Sequence, residues 1–168
     1  RVDGGYAEYV LPDPGYVGHL PAGIGFSAIA PILCAGVTVY KGLKVLDCHP
    51  GDWVAISGVG GLGHLAVQYA KAMGFHVAAV DVDDVKLKLA QEVGADMVVN
   101  AATADPVQAL QKELKGVHGV LVTAVARSAF AQGLGMLHKR GTMSMVGLPP
   151  REYGLALFDV VLNANTVR

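Results

Sequence analysis

Four glycines and one aspartate carry the most specific chemical signal in the chain. Gly58, Gly60, Gly61 and Gly63 fall in the run Ser57-Gly58-Val59-Gly60-Gly61-Leu62-Gly63-His64, and Asp81 follows 20 residues after Gly61. A glycine-rich turn lets the backbone approach a bulky anion that side chains would hold off. A helix opening from that turn aims its free N–H groups and the positive end of its dipole at the same place, which suits a phosphate. A carboxylate about 20 residues further on, at the tip of the next strand, accepts hydrogen bonds from an adenosine ribose. With Val82-Asp83-Asp84 next to it and no arginine alongside, Asp81 would repel a 2′-phosphate, so the pattern favours NAD over NADP.

Such a fingerprint needs a strand before it and a helix after it, and the sequence supplies both. Trp53-Val54-Ala55-Ile56-Ser57 reads as a short apolar strand. Leu62 to Met73 carries apolar residues at helical spacing and is closed by Gly74, and His76 to Val80 is a second strand ending in Asp81. This βαβ unit predicts parallel strands. The alternation continues with helix 83–93, strand 97–99, helix 106–114, strand 120–123, helix 128–137, strand 142–146, a short helix 158–162 and a strand opening at Thr166. The fold expected is α/β, a doubly wound parallel sheet of the Rossmann type. Ligand is then expected at the carboxyl ends of the strands: Gly58 to Gly63 including Leu62, Asp81, Thr123 to Val125, and Val146 to Leu148.

The 168 residues suffice for one domain with a proper core, and a hydrophobic fraction of 52% with a mean hydropathy of +0.43 suits a parallel sheet covered on both faces. A formal net charge of −1, without charge runs, argues against a nucleic-acid footprint or a polybasic membrane tether. Two cysteines, Cys34 and Cys48, make a disulfide framework improbable and point to a reducing cytoplasm. Neither a signal peptide nor an apolar stretch of 18 or more residues is evident, so no membrane partner is expected. Residues 1–26 read as glycine- and proline-punctuated, strand-like pieces of a neighbouring β-rich domain. Residues 27–50 read as a connecting region with a broken helix or two short ones, and residues 51–168 as the dinucleotide-binding domain, cut in its sixth strand.

Three stretches in this order and spacing, Gly4-Gly5-Tyr6-Ala7-Glu8-Tyr9, Cys34-Ala35-Gly36-Val37-Thr38-Val39-Tyr40 and Gly58-Val59-Gly60-Gly61-Leu62-Gly63-His64, resemble the zinc-dependent medium-chain alcohol dehydrogenases, particularly the bacterial NAD-dependent ethanol-type enzymes. The runs Leu121 to Val125 and Gly147 to Pro150 look like the same family. The resemblance implies that Cys34 is a ligand of a catalytic zinc, that Thr38 lies beside the nicotinamide, and that Asp81 and Lys86 attend the ribose. It also implies hydride transfer between a small primary alcohol or aldehyde and NAD, and a homo-oligomer, dimer or tetramer, joined through the sixth strand. Read from its surroundings alone, Cys34 is instead a small buried hydrophobe in an apolar helix. The family's other two catalytic zinc ligands have no counterpart here, and Lys139-Arg140-Gly141 stands where relatives often have a glycine pair. Cys48-His49 reads as loop, and His64, His76, His118 and His138 lack metal spacing. Two other functions fit the same domain: a zinc-free reductase of the quinone oxidoreductase type, and an NAD-binding module without chemistry.

Overall fold

The computed structural model describes residues 5–149 and 154–168, so Gly4 and Pro150 of the motifs above lie outside the described residues. At its centre is a six-stranded parallel sheet in the order β3-β2-β1-β4-β5-β6. The strands are β1 Trp53–Ser57, β2 His76–Asp81, β3 Met97–Asn100, β4 Val117–Val122, β5 Leu137–Met145 and β6 Thr166–Val167. Between them run α3 Gly63–Ala72, α4 Asp84–Glu92, α5 Pro106–Leu114, α6 Arg127–Met136 and α7 Leu157–Leu162, after α1 Phe26–Pro31 and α2 Val37–Lys44 near the start of the chain. This is the doubly wound order, with the chain reversing direction across the sheet between β1 and β4.

Local sequence explains where the elements start. Asp83 and Asp105 cap α4 and α5 by accepting from the N–H groups of Val85 and Val107, and Pro106 occupies the first helical position, where no N–H is needed. The strands are apolar on both faces because helices cover both. Val54, Ile56, Val77, Ala79 and Leu121 join Val39, Leu43 and Val67 on one side; Ala55, Ala78, Val80, Val120 and Val122 join Phe130, Met136 and Met143 on the other. The period-2 alternation along each strand divides one sequence between two cores.

Three expectations are corrected. Residues 5–25 contain no strand, only a short 3-10 turn at Pro14–Tyr16 held by Asp13, which accepts from the Gly15 N–H, and Tyr6, Tyr9, Leu11 and Tyr16 are exposed. A strand needs neighbouring backbone to pair with, and none is offered here. Second, the broken helix is a continuous helical run: α1 passes through a π-helical turn, Ile32–Gly36, into α2. The wider turn takes up the irregularity that Pro31 introduces. The 19-residue run Phe26–Lys44 is long and apolar enough to cross a membrane by length and composition, contrary to the sequence reading. Its α2 half is tied into the domain, with Val39 and Leu43 buried against α3 and the sheet. Third, β4 and β5 begin earlier than the sequence suggested, at Val117 and Leu137, with an irregularity in their pairing between Val117 and Gly119. Within β5, Arg140 takes a left-handed φ of 66°, a conformation that glycine adopts more easily.

Candidate functional site

A cavity of about 410 Å³ opens at the carboxyl ends of β1, β2 and β4, in the crevice where the chain reverses across the sheet. The sequence-predicted residues Gly58, Gly60, Gly61, Leu62, Asp81, Lys86, Thr123 and Val125 all line it. They come from two loops, the end of β2 and one helix, and the parallel register brings them together: Ser57 pairs with Val80 on one side and Val122 on the other.

The glycines divide into two kinds. Gly58 has φ +97°, and a Cβ there would lie 2.8 Å from the Ala124 nitrogen; a Cβ on Gly63 would sit on the Gly58 carbonyl. Those two are glycine because the fold demands it. Gly60 and Gly61 are not: neither has a positive φ, and a Cβ on either would meet nothing within 4 Å. Both face the cavity. Among the described residues, the N–H groups of Gly60, Gly61, Leu62 and Gly63 donate to nothing in the chain, while the Gly60 carbonyl already accepts from His64. Four free donors at the start of α3, above two residues stripped of side chains without internal need, form a cradle for an anion.

Asp81 stands next to that cradle with its carboxylate largely buried. Its Oδ2 accepts from the Val59 N–H at 2.6 Å, and its Oδ1 accepts from Val82 and Asp83 at 2.8 and 3.1 Å. A carboxylate has about four acceptor positions, so three backbone bonds leave one open toward the cavity. Lys86 Nζ lies 3.8 Å from Oδ1 and half exposed, free to reach a ligand. Thr123 donates its hydroxyl to the Gly58 carbonyl at 2.7 Å.

Other predicted residues lie outside the lining. Val146 packs against the core beside Gly42 of α2, and Leu148 is exposed. Cys34 is exposed in the π-helical turn, which corrects its reading as a buried hydrophobe, and Thr38 is partly buried one turn further on. Among the described residues no three His, Cys, Asp or Glu side chains are grouped to hold a metal ion. The structure adds Ala101, Ala126, Ser128 and Gln132 to the cavity wall. Ser128 and Gln132 are four apart on α6, and that spacing after a predicted strand end was the signal available for them.

A second set of titratable groups lies at the opposite end of the sheet and serves structure. His118 Nδ1 accepts from the Trp53 N–H at 3.2 Å, which leaves Nε2, 3.3 Å from Asp52, to carry the proton. Burial, with Asp52 and Asp47 nearby, pushes the Cys48 thiol up to about 12, so it stays protonated and inert. Burial raises Asp96, but the Lys71 ammonium at 2.8 Å and the Val77 N–H outweigh it and hold the carboxyl below its ordinary value. A larger cavity of about 710 Å³ lies among α5, α6 and α7. Its amides are already engaged: Gln111 donates to the Gly135 and Leu137 carbonyls, and Asn165 to that of His138.

Residues 61–168 match the family model described as zinc-binding dehydrogenase. An alcohol dehydrogenase of Moraxella sp. (strain TAE123) is 58% identical over 167 residues, covering 99% of this chain and 49% of that protein; one of Rhizobium meliloti is 56% identical with the same coverage. The chain spans about half the length of the curated relatives it matches. Among solved structures, the alcohol dehydrogenase of the archaeon Aeropyrum pernix superposes with a TM-score of 0.80 at 34% identity, over 89% of this chain and 45% of that one. A zinc-binding dehydrogenase structure from Sinorhizobium meliloti 1021, bound to NADP, does so with a TM-score of 0.75 at 26% identity, over 79% and 41%. With the Rossmann order, the glycine cradle and these likenesses in agreement, the chain belongs to the zinc-binding dehydrogenase family.

Proposed function

We propose that this chain binds NAD and is the cofactor-binding part of an alcohol dehydrogenase that moves hydride between a small primary alcohol or aldehyde and that cofactor. The observation that carries the reading is the pair Gly60 and Gly61, whose missing side chains answer to no demand of backbone or packing, below four unused N–H groups. In this reading those amides receive the pyrophosphate, the open acceptor position of Asp81 takes a ribose hydroxyl, and Lys86 attends the same sugar. When bound, the nicotinamide supplies the hydride acceptor or donor, and Val125 and Ala126 give the cavity an apolar rim.

Asp81 also selects the cofactor. The Sinorhizobium neighbour holds NADP, but a 2′-phosphate here would meet a carboxylate fixed by three backbone N–H bonds that cannot swing away. Two unit charges about 4 Å apart near a surface repel by roughly 1–4 kcal/mol, so NAD is preferred by at least about fivefold.

Cys34 and Thr38 belong to the same proposal: Cys34 as one ligand of a catalytic zinc, Thr38 beside the nicotinamide. The described residues do not by themselves make a zinc site, and no step is drawn through the metal. The exposed apolar side of α7, with Phe158 and Val161 next to the short edge strand β6, suits the assembly of the whole enzyme as a homo-oligomer, dimer or tetramer; the expected setting is the cytoplasm. Titration of the 15N-labelled chain with NADH tests the binding site. The largest amide shifts are expected at Gly60 to Gly63, Asp81 and Val125; shifts centred on α5 and α7 instead would reject the site.

A further inference from the structure

We infer that Thr123 acts as a positioning residue: its hydroxyl locks the glycine turn in its anion-receiving shape before any ligand arrives, rather than contacting the ligand itself. The inference rests on the nucleotide reading for its ligand and on the geometry of the crown of β1 for its mechanism.

Two consecutive peptide groups leave that crown, and three hydrogen bonds hold them. The Gly58 N–H donates to the Val80 carbonyl at 2.8 Å, and the Val59 N–H to Asp81 Oδ2 at 2.6 Å, so β2 fixes two donors. The carbonyl between them, that of Gly58, points the other way, beneath the start of α3, where a Cβ on Gly63 would overlap it. Among the described residues its one donor is the Thr123 hydroxyl at 2.7 Å; the hydroxyl's contact to the Ser57 carbonyl is longer, at 3.3 Å. Thr123 is itself immobilised. Its N–H and that of Ala124 both donate to the Ser57 carbonyl, at 2.9 and 3.0 Å, and Ala124 lies against Gly58 and Gly147 with no room for a Cβ on either. The donor is therefore anchored at the end of β4, and the carbonyl it holds sets the peptide plane from which Val59, Gly60 and Gly61 continue.

Without the hydroxyl, a carbonyl enclosed by Gly63 and the Thr123 side chain has no partner, and the peptide can recover one only by turning toward the cavity, which strains the bond that its other end, the Val59 N–H, makes to Asp81. That rotation redirects the amides that follow it. A ligand would then have to restore the turn on binding, which lowers its apparent affinity by the fraction of chains not already in the receiving shape.

Thr123→Val keeps the shape of the side chain and removes the hydroxyl; Thr123→Ser keeps the hydroxyl and removes the methyl. Amide exchange of Gly58 and Val59 in the ligand-free chain, followed by NMR, reads the lock directly, and NADH titration reads its consequence. In the Val variant both amides are expected to exchange about five- to tenfold faster and NADH to bind about five- to tenfold more weakly, with the Ser variant within about twofold of wild type in both. Unchanged exchange in the Val variant overturns the lock, whatever happens to binding. Equal effects of Val and Ser also overturn it, since they assign the role to the methyl. If the wild-type chain binds no NADH while the exchange pattern holds, the lock stands and the nucleotide reading falls.

Discussion

Alanine at Gly60 and at Gly63 is expected to fail in different ways, and the difference separates a glycine required by the fold from one required by a ligand. At Gly63, the first residue of α3, alanine gains up to about 1 kcal/mol of helix propensity over glycine. Against this, its Cβ would overlap the Gly58 carbonyl, which is backbone and held in place by Thr123. Overpacking of this kind costs about 1–3 kcal/mol and more where the neighbour cannot yield, so the clash wins by roughly 2 kcal/mol. For a chain of 168 residues that lowers Tm by about 4–8 °C. At Gly60 the Cβ meets nothing, φ is not positive, and the unfolded chain loses some freedom, so Tm should hold or rise by about 1–3 °C. Binding is expected to reverse the order of concern. In the proposed site the methyl of Gly60→Ala would occupy the place given to the pyrophosphate, and losing one charge-assisted hydrogen bond is expected to weaken NADH by about 10- to 100-fold. Differential scanning fluorimetry and NADH titration on the two variants give both numbers. A Gly60→Ala chain that binds NADH as wild type does would refute the assignment of that open space to the cofactor.

Two more outcomes follow from the titratable groups. Cys34 is exposed and the partly buried Cys48 thiol is pushed up to about 12, so a thiol reagent at pH 8 should modify one cysteine quickly and the second much more slowly; equal rates would contradict the raised pKa of Cys48. Asp96 has its folded pKa below the unfolded value, so its contribution to stability is full above the ordinary carboxylate range and is lost as pH falls through the folded pKa. Asp96→Asn should therefore lower Tm at pH 7 and leave less of the drop on acidification below about pH 4; because the group is partly exposed, the effect is modest, and a Tm difference independent of pH would contradict it.

Much of the fold was legible because a parallel sheet imposes two simple periods on its sequence. The apolar run Trp53 to Ser57, the helical spacing after Leu62 and the acid at Asp81 are local patterns, and each was placed within a residue or two. The cavity was legible for the same reason, since the carboxyl ends of strands follow from topology. The rest depends on contacts far apart in sequence. Nothing near Thr123 announces that its hydroxyl meets a carbonyl 65 residues earlier, and nothing near Val59 announces its bond to Asp81. Val146 sits at the end of β5 like the lining residues sit at theirs, yet α2 packs over it, and only the tertiary arrangement separates the two cases. Residues 27–50 read as a broken helix or two short ones. A π-helical turn at Ile32–Gly36 keeps the helix continuous, and Gly36 packs so closely on Tyr69 that a Cβ there would come within 3.0 Å of its hydroxyl.

The reading as an NAD-binding chain rests on Asp81 standing next to an open anion cradle, and calorimetric titration of the chain and of its Asp81→Ala variant with NADH and NADPH tests it most directly. Wild type is expected to bind NADH at least about fivefold tighter than NADPH, and the variant to lose affinity for NADH while the gap between the two narrows. A folded wild-type chain that binds neither, or that binds both alike with no response to Asp81→Ala, would contradict it.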